Sequence, residues 1–237
     1  MEKRMKWTAA LNALIVATLI AGCADTTRDR NVQYSSFLGD YSKLVEGGDK
    51  QSERRYLRPD VDWASYTKVL LDPVSLWRGD ESKSDGVSAH DAQTMLTFFH
   101  GVIFQDLKNQ DFEIVTSPMP GTLRVQVAMT KLNEADVAMD VVSTVIPVAR
   151  VASGLDELIT GKPAFVGEAE IEFKVTDAMS GELLAAGVDH RVGGKSLNAS
   201  TFSSWGAVEK MMQLWAAYGS YNLCELQKRS NCVEPKS

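Results

Sequence analysis

The chain has 237 residues, with 25 lysines and arginines against 31 aspartates and glutamates, a formal charge of −6 and 44% hydrophobic residues. That length and apolar content suit one folded domain with a sizeable core, not a disordered chain or a string of domains. An acidic balance without clustered Lys or Arg excludes nucleic-acid binding and flat electrostatic attachment to an anionic membrane.

The chain opens with Lys3, Arg4 and Lys6, followed by an apolar stretch over 8–21 that only Asn12 interrupts. This order of basic region, apolar region and small residues is that of a secretory signal peptide. The stretch is too short to span a bilayer, which needs about 20 apolar residues. Leu19-Ile20-Ala21-Gly22-Cys23 resembles the bacterial lipobox, which implies that Cys23 is acylated with palmitate-class chains and begins the mature protein. Two such chains already anchor stably, at about 0.8 kcal/mol per buried methylene. Ala24 follows Cys23, and Asp25 stands one place too late for the inner-membrane retention residue of bacterial lipoproteins. The expected location is therefore the periplasmic face of the outer membrane, with the inner membrane as the alternative. Removing the 22 residues before Cys23, three of them basic and one acidic, leaves 215 residues and a charge of −8.

Residues 24–35 are polar and aperiodic and read as a tether, about a dozen flexible residues spanning about 20 Å. Residues 36–44 read as a short helical or turn segment, so 23–50 form the lipidated N-terminal extension of a single domain over 51–237. In 58–63, Pro59 and Asp60 mark a turn into a strand. Residues 67–77 are β-type, with Pro73 at an edge or a strand end. From Ser88 the spacing predicts a helix. Ser88 and Asp91 stand at capping-box spacing, and Met95, Leu96, Phe99, Val102, Ile103 and Leu107 fall on one side, with Asp106 an unexplained intruder. A short strand over 112–116 follows, then an alternating strand through Leu123, Val125, Val127 and Met129.

Residues 137–161 are dense in apolar side chains for a connector. Val141, Val142, Val145, Ile146, Val148, Val151, Leu155 and Leu158 form either a core helix delayed by Pro147 or a candidate interface. Asp136, Asp140 and Arg150 speak against insertion into lipid. Next comes a hairpin: Ala169, Ile171, Phe173 and Val175 alternate with Glu168, Glu170, Glu172 and Lys174, Met179-Ser180-Gly181 turns, and a strand returns over 182–192. A last helix over 204–226 has Val208, Met211, Met212, Trp215 and Leu223 on its apolar side. This order predicts an α+β fold, a largely antiparallel sheet with helices packed on one face. In an oxidising compartment Cys224 and Cys232 form a disulfide, with two free thiols in a frayed tail as the alternative. A zinc site is disfavoured, because no His lies nearby to complete four ligands.

Three segments carry a resemblance: Phe37-Leu38-Gly39-Asp40-Tyr41-Ser42-Lys43-Leu44, the Pro59-Asp60-Val61-Asp62-Trp63 core of 56–66, and 170–191. Together they resemble a bacterial lipoprotein family known only as domain of unknown function 3313, over nearly all of the mature chain. The resemblance implies a class of protein and carries no catalytic residue with it.

His190 shares strand parity with Ala186, Val188 and Val192, as a core histidine satisfied by a neighbour, and Asp189 points to the opposite face. His90 and His100 sit on the first predicted helix. Gly194-Lys195-Ser196 is not a P-loop, since Asp189 stands where that loop needs its first Gly. Glu168, Glu170 and Glu172 form a carboxylate stripe, expected as a solvated face salt-bridged to Arg191 on the facing strand. Asn198-Ala199-Ser200 reads as a loop. Together these point to a non-enzymatic envelope protein with no cofactor, metal or nucleic-acid partner. The expected partners are the membrane, through its lipid, and an envelope protein or a second copy. The contact surface would be the apolar run from Val141 to Leu158, with Tyr41, Trp63 and Tyr66 as second choice. The alternative is an envelope hydrolase or a lipid- or glycan-binding module, with His190, Asp189 and Ser196 as its catalytic candidates.

Overall fold

The computed structural model describes residues 27–77, 87–133, 167–193 and 205–235. The leader and Cys23, the segment with Val141 to Leu158, Gly194-Lys195-Ser196 and Asn198 to Ser200 lie outside the described residues. Among the described residues nine strands and two α-helices follow in the order β1 (Thr27–Arg28), β2 (Val45–Glu46), β3 (Arg54–Leu57), β4 (Lys68–Leu71), β5 (Ser75–Leu76), α1 (Ala89–Asn109), β6 (Glu113–Ile114), β7 (Thr122–Asn133), β8 (Glu168–Asp177), β9 (Leu183–Val192) and α2 (Gly206–Leu226).

The sheet runs β2-β3-β9-β8-β7-β4-β6, with β1 also on β9 and β5 also on β7. It is mixed. From β7 through β8 and β9 to β3 and β2 every pairing is antiparallel. At the other edge β4 and β5 lie parallel to β7, and β6 parallel to β4. The expected largely antiparallel sheet therefore holds for the long strands and fails at this edge. The physical reason is the connection: α1 lies between β4 and β6, and a helical crossover is what a parallel pair requires.

Local chemistry sets the ends of these elements. Ser88 caps α1, its hydroxyl accepting from the Asp91 amide at 3.0 Å and donating to the Asp91 carboxylate at 2.6 Å. Ala92, Met95, Phe99, Ile103 and Leu107 form the buried stripe of α1. Asp106 is half-buried beside it, and burial pushes its carboxyl above the ordinary range against the Asn109 hydrogen bond. In α2, Val208, Met211, Met212, Trp215 and Leu223 are buried. The helices meet through Phe99 and Trp215, ring centres 6.0 Å apart, and share one core with Val127, Met129, Ile171 and Val175 of the sheet. The β8–β9 turn hangs on the Asp177 carboxylate, which accepts from the Met179 and Ser180 amides. It closes at Gly181, whose φ of +74° suits a residue without Cβ.

Cys224 and Cys232 are bonded. The tail they close is fixed to the end of α1, where the Gln110 amide donates to the Val233 carbonyl and accepts from its N–H. A cross-link closing so short a loop contributes about 2–3 kcal/mol on the chain-entropy account. Cys232→Ser should lower the urea-derived stability by that amount, and a loss below about 0.5 kcal/mol would show the tail held without the bond.

Candidate functional site

Register divides the central sheet into two faces, because directly paired residues point the same way. Val127, Phe173 and Gly187 share one face, as do Ile171 with Asp189 and Ala169 with Arg191. The other face carries Glu168 opposite Val192, Glu170 opposite His190 and Glu172 opposite Val188. Asp189 and His190 are thus on opposite sides, as the sequence implied, and Ser196 lies outside the described residues, so the described structure assembles no such triad.

The carboxylate face contradicts the expectation of a solvated, Arg191-bridged stripe. Glu172 is 0% exposed and Glu170 only 4%. Arg191 is on the far face, where its Nε donates to Asp189 at 2.8 Å. The cause is the segment read as a tether, over 24–35, together with the start of the helical or turn segment over 36–44. β1 is paired to β9, and residues 29–41 then cross the carboxylate face. The Gln33 amide donates to Glu170 at 3.2 Å, the Ser35 amide to Glu172 at 2.8 Å and the Tyr41 hydroxyl to Glu172 at 2.7 Å. Backbone N–H groups thus replace the water that the carboxylates lose. Lys174 reaches the Phe37 carbonyl and lies 4.3 Å from its ring centre, and Trp77 Nε1 donates to the Ser35 carbonyl.

His190 closes one end of this strap. Its Nε2 lies 2.6 Å from Glu168 Oε1 and its Nδ1 3.4 Å from Asp29 Oδ2. A nitrogen of His190 and one oxygen from each carboxylate fall within 4.8 Å of one another, a donor set that suits zinc. Lys131 already places its ammonium 2.6 Å from the same Glu168 oxygen, so positive charge is supplied there by the chain itself. His90, in the first turn of α1, and His100, at its middle, are not members of this cluster. The aromatic residues offered as a second contact surface are engaged too. Trp63 is buried, Tyr66 donates to Asp177 at 3.0 Å, and burial, helped by Asp177, pushes its phenol up to about 12. Burial and then Glu172 do the same for Tyr41, also to about 12.

Glu170 gives a pH signature. Burial raises its carboxyl above the ordinary range, against hydrogen bonds from Thr130 and Gln33 and the nearby His190. The folded state then holds its proton more tightly than the unfolded chain, so stability falls as pH rises from the ordinary carboxylate range through the raised folded value. Glu170→Gln keeps an acceptor for Gln33, and Thr130 can turn its hydroxyl. The variant should be more stable than the parent at pH 7 and no more stable at pH 4, read from urea midpoints. A parent at least as stable as the variant at pH 7 would contradict this.

The opposite face carries a cavity of about 370 Å³ between sheet and helices. Val127, Ile171 and Phe173 line it from the sheet, Ile103 from α1, and Trp215 and Leu223 from α2. Its lining includes small residues, Ala185 on β9 and Ala216, Gly219 and Ser220 on α2. At one end Asp189, 1% exposed, gathers its donors. The Glu53 amide lies at 2.7 Å, Trp215 Nε1 at 2.6 Å and Arg191 Nε at 2.8 Å, with Arg28 Nε 3.5 Å away. Arg55, paired with Gly187 on β3, points to this same face and lines the cavity. A chamber of this size, mostly apolar with a few fixed polar groups, is the form that small-ligand sites take. Sequence reading missed it. The alternation of small residues on β9 was visible, but which helix would face it was not.

Among the described residues no helix is long and apolar enough to cross a membrane. No curated protein matches the chain in sequence. Among solved structures it is similar to the PelC dodecamer from Paraburkholderia phytofirmans, at 11% identity over 75% of this chain and 97% of that one, with a TM-score of 0.41. A variant of the same dodecamer in another crystal form gives 9% identity, 68% and 93% coverage, and a TM-score of 0.37. The profile of the family described as "Protein of unknown function (DUF3313)" matches residues 33–218. The chain belongs to that family.

Proposed function

We propose that this protein is an outer-membrane lipoprotein facing the periplasm, anchored by acyl chains on Cys23, whose domain binds a hydrophobic ligand and catalyses no reaction. In this reading both helices lie over one face of the sheet and form the lid of the ligand chamber, and the docked segment over 29–41 seals the other face. The observation that carries it is the cavity of about 370 Å³ left open where a core would ordinarily be packed to near-crystalline density. A void of that size costs stability through the contacts its lining forgoes, and a bound apolar molecule restores them. Two polar groups in its wall, the Trp215 indole and the Arg191 guanidinium, are tied to Asp189, an arrangement that fixes that end of the pocket.

The test uses the processed chain carrying Cys23→Ser, which needs no detergent, and an uncharged naphthylamine dye whose emission rises in apolar surroundings. Saturable binding of one dye per chain is expected, with a rise in melting temperature that grows with dye concentration. Absence of saturable binding by a folded chain would overturn the proposal.

A further inference from the structure

Arg55 is the residue that a purely apolar ligand leaves unexplained. Its Nε is buried without a hydrogen-bond partner, and no hydrogen bond or ion pair reaches its side chain among the described residues. Three neighbouring cations do have carboxylates beside them, although Arg28 Nε likewise makes no hydrogen bond. Arg28 lies near Glu53 and Asp189, Arg191 is bonded to Asp189, and Lys50 is paired with Glu234. A partly buried guanidinium that has given up water without gaining an anion is costly.

Its surroundings fit one kind of anion. Arg55 and Leu57 alternate on the same face of β3, opposite Gly187 and Ala185. A Cβ at Gly187 would stand 2.6 Å from the Phe173 ring and 2.5 Å from Ser52 Oγ, so glycine there lets the ring lie against β9 beside Arg55. The cation therefore sits at the edge of an apolar wall that continues through Phe173 and Ile171. Resting on the reading of this cavity as a ligand chamber, we infer that its ligand is a long-chain carboxylate. The Arg55 fork receives the head in paired hydrogen bonds, and the chain lies along the Phe173–Trp215 wall. The volume suits one acyl chain.

Laurate and dodecanol, the same chain with and without the anion, separate the two layers of this reading. Titrated into the Cys23→Ser chain, laurate should bind about 10- to 100-fold more tightly than dodecanol, the worth of a hydrogen bond to a charged group. Arg55→Gln should erase that preference while leaving dodecanol affinity within about twofold, which also reports that the variant is folded; Arg55→Lys should retain part of it. Equal affinities in the parent, or a preference surviving in Arg55→Gln, would overturn the carboxylate assignment and leave the chamber standing. Failure of both ligands to bind would overturn the chamber itself.

Discussion

Asp189→Ala should cost this protein about 3–5 kcal/mol, the loss expected when one member of a buried ion pair is removed and the other is left charged. Two oxygens of one carboxylate hold the Glu53 amide, the Trp215 indole and the Arg191 guanidinium, with Arg28 alongside. Alanine leaves all of these facing an apolar cavity. The carboxylate also joins three elements: the segment before β3, β9 and α2. Their relative positions should loosen together. Asp189→Asn keeps the shape and an acceptor, and should lose about 1.5–3 kcal/mol, the range for hydrogen bonds to charged groups. Urea unfolding measures both variants, with the slope checked against the parent. A loss under 1 kcal/mol for alanine would mean that the cluster is solvated and that this end of the chamber is not built as described.

The second large effect is on binding. Ala185→Phe places a ring in the space that Ala185 leaves beneath α2. Overpacking a filled core costs about 1–3 kcal/mol, but here the ring enters existing room, so stability should stay within about 1 kcal/mol of the parent. The ligand competes for the same volume, and affinity for the naphthylamine dye should fall at least tenfold, about 1.4 kcal/mol. Normal dye binding by a folded Ala185→Phe chain would place the ligand elsewhere.

Much of the framework was legible because it rests on local chemistry. Ser88 and Asp91 announce the start of α1, Met179-Ser180-Gly181 announces the hairpin, and two cysteines eight residues apart announce the bond that forms. The parallel edge was legible in principle: a strand, a helix of 21 residues and a further strand are the parts of a crossover unit. The short strand β3 carries the sequence Arg54-Arg55-Tyr56-Leu57, too brief and too charged to announce itself.

The carboxylate face was misread for a deeper reason. Alternating glutamates look identical whether water or another segment covers them. The segment that covers Glu170 and Glu172 does so chiefly through backbone N–H groups and one tyrosine hydroxyl, which leave almost no mark on composition. Arg191 was misassigned by register. Pairing Glu170 with His190 necessarily puts Arg191 opposite Ala169, on the other face. Arg55 could not be singled out at all. Its lack of a partner is a property of the folded chain, and nothing in the sequence separates it from Arg54.

On this proposal the space between sheet and helices is a site for a ligand. A crystal structure of the Cys23→Ser chain grown with dodecanol tests that most directly. It should show the alkyl chain lying between Phe173 and Trp215, with the surrounding side chains near the positions described here. A space filled by repacked side chains or ordered water, with no alkyl chain in it, would contradict the account.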